Sequence, residues 1–161
     1  MTDQFRIRAA VPGDAAGMVD VLNPIVAAGG TTAIEDPVTV EEMADVIATS
    51  LCCHVALDAA GLVAGMQWLD PSDAPHDRCG YISSFTQREP RLAGTGRALF
   101  AATVPAARAA GLTVLVAKIR ADNMPGLGYY RAMGFQDHNV DHAVPLADGT
   151  PVDRVVWIYP L

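Results

Sequence analysis

The stretch "REPRLAGTGRALF", residues 88–100, sets Gly94 and Gly96 one residue apart, flanked by arginines and followed by helix-like sequence. Glycines this close to a helix start bring an anion to mind, because the first amides of a helix are unpaired and a missing Cβ lets a ligand approach the backbone. Three phosphate-binding designs compete for the segment. A Walker loop needs Gly-Lys-Ser/Thr so that its lysine reaches the terminal phosphates, and the chain contains no such tripeptide. A dinucleotide fingerprint needs a third glycine three residues after the second and an acidic residue about 20 residues on. That glycine position is Leu99, and the acid is missing. What remains is Arg-x-x-Gly-x-Gly, Arg91 to Gly96, whose amides would face a pyrophosphate if side chains at 94 and 96 stayed out of the way. Spacing alone leaves a second reading open, a loop whose glycines serve only tight packing.

Composition narrows the partners. The chain has 161 residues, 51% of them apolar and 18% charged, which suits one domain with a substantial core and argues against disorder. A net charge of -7 argues against a broad nucleic-acid surface, which needs clustered cations. Lys118 is the only lysine, and Arg88, Arg91 and Arg97 gather around the two glycines, so a small anion held locally fits where a polyanion does not. No apolar run is long enough for a membrane span, and "MTDQFRIRAA" lacks the basic and apolar regions of a secretion signal. Cys52, Cys53 and Cys79 suit no disulfide framework. The adjacent Cys52 and Cys53 read as small buried hydrophobes in a reducing cytosol, and the expected location is cytoplasmic.

Periodicity orders the rest. "FRIR" reads as a first strand, and residues 11–30 as a helix with Met18, Val21, Leu22, Ile25 and Val26 on one face and Gly29 and Gly30 as its stop. Pro24 is expected to kink or break it. Thr39 and Glu42 form a capping box for a second helix, with Val38 and Met43 as its hydrophobic staple. "HVALDAAGLVAGMQWL" predicts two strands joined by a tight turn at Asp58–Gly61, and "CGYISSFTQ" predicts a third. A helix follows to Gly111, with Pro105 suggesting a kink or a shorter element. "LTVLVAKI" is an apolar run expected to be buried on both faces. "NMPGLGYYRAM" predicts a short helix ending before Gly134, and the tail predicts a hairpin turning near Asp148 and Gly149. The expected class is a single mixed α/β domain over residues 1–161.

Two segments together resemble the GNAT superfamily of acyl-CoA-dependent N-acetyltransferases. Arg91, Gly94 and Gly96 match its Gln/Arg-x-x-Gly-x-Gly/Ala motif. "NMPGLGYYRAMGF", residues 123–135, matches Asn-x-x-Ala-x-x-x-Tyr followed by x-x-x-Gly-Phe, with Gly126 in place of alanine. Both sit in the right order around a predicted helix and strand. "VLNPIVAAGGTTAIEDPVTVEEM", residues 21–43, is similar to the phosphinothricin-acetyltransferase branch. The resemblance implies a central, mostly antiparallel sheet with a splayed pair of parallel strands, flanked by helices.

It also implies direct acetyl transfer from acetyl-CoA, without a metal, to a primary amine of a small or amino-acid-like acceptor. Phe85 and Thr86 would hold the pantetheine through their backbone. Arg91, Leu92, Ala93, Gly94, Thr95, Gly96, Arg97 and Ala98 would cradle the pyrophosphate. Asn123, Gly126 and Tyr129 would line the CoA arm, and Tyr130 would be the general acid, a phenol of ordinary pKa about 10 donating to the departing thiolate. Asn23, Thr32 and Glu35, around the "GGTTA" loop, would meet the acceptor.

The general base is left open. Relatives of that branch carry a glutamate where this chain has Tyr81, so Tyr81 could direct a water, Glu35 or His76 could serve, or the acceptor could differ. The alternative from another class is an acyl-CoA-binding module with a degenerate acceptor site, acting as a sensor. His138 and His142 with Asp137 and Asp141 have metal-like spacing only on a helix and read as a solvated segment. Cys79 lacks a neighbouring base and reads as packing. A homodimer is common in the resembled branch.

Overall fold

The computed structural model describes residues 4–74 and 77–161. In chain order these form β1 (Phe5–Ala9), a 3-10 turn (Pro12–Asp14), α1 (Ala15–Ala28), α2 (Val40–Thr49), β2 (Cys52–Asp58), β3 (Val63–Pro71) and β4 (Cys79–Thr86). Then come α3 (Thr95–Ala109), β5 (Val114–Arg120), α4 (Met124–Met133), β6 (Gln136–Pro145) and β7 (Pro151–Pro160). The strands make a seven-stranded mixed sheet in the order β1-β2-β3-β4-β5-β7-β6. Every neighbouring pair is antiparallel except β4 and β5.

Apolar cores cover the two faces of the sheet. Met18, Leu22, Val26 and Met43 from α1 and α2 pack with Val55, Met66 and Trp68. Phe100, Ala107 and Tyr130 from α3 and α4 pack with Leu69, Ile82, Leu115 and Ile119. Val38 packs against the first core beside Met43, and the Thr39 hydroxyl and Glu42 carboxylate accept each other's backbone N–H at 3.1 and 2.9 Å. At the β2–β3 turn the Asp58 carboxylate accepts from Ala60 and Leu62 N–H, and Gly61 takes φ +82°.

Neither internal proline breaks or shortens its helix. α1 runs through Pro24 and α3 through Pro105 without ending. Each ring lies on the exposed side of its helix, as does the residue four before it, Asp20 or Ala101. The carbonyl that proline leaves without a helical donor can therefore be hydrated, while buried neighbours such as Leu22, Ile25, Thr103 and Ala107 hold the helix down.

Candidate active site

β4 and β5 stay paired for three residues only, Cys79 with Val114, Gly80 with Leu115 and Tyr81 with Val116. Beyond that point β4 keeps β3 as far as Thr86 opposite Gly65, and β5 keeps β7 as far as Arg120 opposite Arg154. The two strands are thus held apart by their outer partners, and the facing backbone edges of Ile82–Thr86 and Ala117–Arg120 have no strand between them. A cleft of about 840 Å³ occupies the wedge, bordered by the 31–34 loop, β4, the start of α3, β5 and α4. That volume suits a small organic ligand.

At the wide end, Gly94 is the N-cap of α3 with φ +85°, a conformation that favours glycine. Among the described residues, the N–H groups of Gly96 and Arg97 in the first helical turn have no backbone acceptor. Arg91, Leu92, Gly94, Thr95 and Gly96 line the cleft; Ala93, Arg97 and Ala98 do not. Gly96 is small for a reason other than ligand approach. A Cβ there would sit 2.7 Å from Tyr129 Cε2.

Deeper in, hydroxyls and one amide form a chain. Tyr129 donates to the Gly96 carbonyl at 2.7 Å and accepts from Gln67 Nε2 at 3.0 Å. The same nitrogen donates to Ser84 Oγ at 2.8 Å, and Tyr130 donates to Ser84 Oγ at 3.0 Å. Burial pushes the Tyr129 phenol up to about 12 against opposing hydrogen bonds. Tyr130, more deeply buried, is raised further, again chiefly by desolvation. Both phenols therefore stay protonated at neutral pH. Asn123 caps α4, its Oδ1 accepting from Gly126 N–H at 3.0 Å, and its Nδ2 donates to the Thr31 carbonyl at 3.0 Å. Arg88 reaches the Thr31 hydroxyl at 3.1 Å, so this one threonine ties the loop to both sides of the cleft.

The 31–34 side divides the expected acceptor residues. Thr32 lines the cleft and its hydroxyl accepts from Ile34 N–H. Asn23 does not line it: its amide is doubly bonded to the backbone of Val38, pinning the loop to α1. Glu35 also points elsewhere, accepting from Ala147 N–H in the β6–β7 turn at 2.9 and 3.1 Å. Tyr81 lies outside the lining, with the Lys118 ammonium 5.4 Å from its ring centre. His76 lies outside the described residues. Phe85 and Thr86 do border the cleft.

Lys118 is the exception in the apolar β5 run: it stands exposed where the strands have parted, and it makes no ion pair among the described residues. Arg120, buried, is held by Asp122 at 2.8 Å. Around the whole cleft the charged side chains are Arg88, Arg91, Lys118 and Arg120 against Glu89. Sequence reasoning missed Ser84 and Gln67, which meet only through the register of β3 and β4. The lone lysine within "LTVLVAKI" was the available signal for Lys118.

Other candidates carry little chemistry. Burial raises the Cys52, Cys53 and Cys79 thiols to about 11, 12 and 11, so they are poor nucleophiles. His138 and His142 lie exposed on β6, where His142 faces Asp153 at 3.4 Å. Among the described residues no helix is long and apolar enough to cross a membrane, and no group of three or more potential metal ligands occurs.

Comparison with known proteins agrees with this geometry. The model of the acetyltransferase (GNAT) family matches residues 29–135. A GNAT superfamily phosphinothricin acetyltransferase from Sinorhizobium meliloti, solved in complex with AcCoA, is 25% identical over 99% of this chain and 89% of its own, with a TM-score of 0.84. The YncA protein of Salmonella typhimurium, solved with acetyl-CoA, is 20% identical over 99% and 95%, with a TM-score of 0.86. A ribosomal-protein-alanine N-acetyltransferase from Brucella melitensis is 23% identical over 97% and 99%, also with a TM-score of 0.86. No curated protein matches the sequence.

Proposed function

The chain belongs to the acetyltransferase (GNAT) family, and from that premise we propose that it transfers acetyl from acetyl-CoA directly to the amine of a small, amino-acid-like acceptor. The observation that carries this is the parting of β4 and β5 after three residue pairs. It leaves an unpaired strand edge for a pantetheine arm, with free helix amides at one end and hydroxyl donors at the other. The neighbouring fold solved with AcCoA supports the same ligand.

In this reading, Arg91 and the first-turn amides of α3 hold the pyrophosphate. The backbone of Phe85 and Thr86 holds the pantetheine. The hydrogen-bonded pair of Ser84 and Tyr130 supplies a hydroxyl donor for the thiolate that leaves. Bound acetyl-CoA supplies the activated acyl group; the protein positions it, excludes water and stabilises developing charge.

Lys118 bears on the acceptor. Its ammonium, in no ion pair among the described residues, lies at the mouth of the splay, attracts an anionic group and disfavours a second cation beside it. An acceptor bearing a carboxylate fits this wall, and its amine would react in the neutral form. With Glu35 bound to the β6–β7 turn and Tyr81 outside the lining, deprotonation through solvent fits better than either of these two as a fixed base. The three free cysteines agree with a cytoplasmic setting, and a homodimer belongs to the same reading.

Release of free thiol from acetyl-CoA, screened over amines with and without a carboxylate, tests the proposal. Turnover concentrated among amino acids and their analogues is the expected result. CoA binding with no turnover on any amine would instead favour the degenerate module, for which the absent carboxylate at position 81 is the supporting observation.

A further inference from the structure

Ser84, Tyr129 and Tyr130 all border the cleft, and counting donors and acceptors along the chain they form identifies the hydroxyl whose proton is left free. The Gly96 carbonyl can only accept, so the Tyr129 proton is committed to it. Tyr129 Oη must then accept from its other neighbour, which requires Gln67 to present Nε2 there rather than Oε1. The same nitrogen lies against Ser84 Oγ and donates to it. Tyr130 fills the second lone pair of Ser84. A serine hydroxyl has two lone pairs and one hydrogen. With both pairs taken, Ser84 retains only its own proton to offer, and Ser84 borders the cleft.

Gln67 gives independent support. It is 0% exposed, does not border the cleft, and its Oε1 has no partner among the described residues. An unpaired buried carbonyl is costly, and leucine or methionine would fill the same space without that cost. Its retention makes sense if the two donations from Nε2 serve a purpose.

We propose that Ser84 is the residue in contact with the leaving sulfur, and that Gln67 and Tyr130 are positioning residues that hold its hydroxyl as a donor. The inference rests on the acetyl-transfer reading above. In the step, the acceptor nitrogen bonds to the thioester carbon and the C–S bond breaks, its electron pair going to sulfur. The Ser84 O–H hydrogen-bonds that sulfur as the charge develops. The proton lost by the amine passes to solvent, and the thiolate takes one from solvent on release. No phenolate forms, in keeping with the burial of Tyr130.

Steady-state kinetics with acetyl-CoA and an accepted amine, together with CoA affinity by calorimetry, test this. S84A is expected to lower kcat on the order of 10²-fold, with CoA affinity within about twofold. Y130F should lower kcat less than S84A does, and S84A/Y130F should resemble S84A alone, because Tyr130 acts through Ser84. S84T, which keeps a hydroxyl, should recover most of the rate and guards against a folding artefact. Q67L should lower kcat without raising the KM for acetyl-CoA. Wild-type kcat in S84A, or a larger loss in Y130F than in S84A, overturns the proposal while leaving acetyl transfer intact. Absence of thiol release by the wild-type protein on every amine removes the acetyl-transfer reading and this proposal with it.

Discussion

Tyr129 occupies the space that a side chain at Gly96 would need. Its Cε2 lies 2.7 Å from the Cβ position, and its hydroxyl donates to the Gly96 carbonyl at the same distance. The second glycine of the loop is therefore an α3–α4 contact, and the first turn of α3 is positioned by a tyrosine from the next helix. Gly96→Ala is expected to cost on the order of 1–3 kcal/mol as an overpacked site and to weaken CoA binding. Thermal unfolding and calorimetry would read both effects. Y129A in the same chain should relieve part of the steric loss; an unchanged melting temperature in the single variant would remove this account.

Asn123 performs two jobs that substitution can separate. Asn123→Ala removes the α4 cap, costing about 1 kcal/mol, and frees Thr31. Asn123→Asp keeps the capping oxygen but loses the donor to the Thr31 carbonyl. The aspartate variant should melt near wild type yet exchange amide hydrogens faster over residues 30–34. Equal protection in wild type and N123D would show that the Thr31 contact is not what holds the loop.

Lys118 sets a charge preference. Lys118→Met is expected to raise KM about tenfold for acceptors bearing a carboxylate, roughly one ion-pair's worth of binding at a partly solvated site, with KM for acetyl-CoA little changed. Lys118→Arg should retain most of the affinity. A methionine variant that binds carboxylate acceptors as well as wild type would leave the acceptor wall without a specificity residue.

Asp14 couples the entry to α1 to pH. Its carboxylate accepts from Arg8 Nη1 and Nη2 at 2.7 and 2.9 Å and from Val11 N–H at 2.8 Å. The Arg8 hydrogen bonds lower its pKa first, burial opposes, and the Val11 amide lowers it again. Because the folded value lies below the unfolded one near 3.8, the stabilisation is present above about pH 4. It is lost as pH falls through the folded pKa. Asp14→Asn should cost on the order of 1–2 kcal/mol at neutral pH, modest because Arg8 is partly exposed. The gap between variant and wild type should narrow on acidification in denaturant melts; a constant gap from pH 7 to pH 2 would contradict the assignment.

Much of this protein was legible in its residues. Apolar spacing located the strands and helices, because a buried face imposes its period on the chain. The Thr39–Glu42 box and the glycines at 61, 94, 134 and 149 marked boundaries, because caps and left-handed turns depend on local chemistry. Linked glycine and Asn–Tyr motifs identified the family for the same reason: each lies within one helix and the residues beside its ends.

Tertiary structure alone decided the rest. Pro24 and Pro105 stay inside helices because burial elsewhere outweighs one lost hydrogen bond, which a local rule does not weigh. Glu35 and Asn23, acceptor candidates by position, turn to Ala147 and Val38, contacts set by where a hairpin and a helix come to lie. Gln67 and Ser84, 17 residues apart, meet because β3 and β4 pair in one register. The wedge itself arises because β4 follows β3 and β5 follows β7. Residue types and short-range spacing determined which elements form and which ligand class suits them. Only long-range packing determined which side chains share the cleft, since contact across a sheet depends on strand register and not on neighbours in the chain.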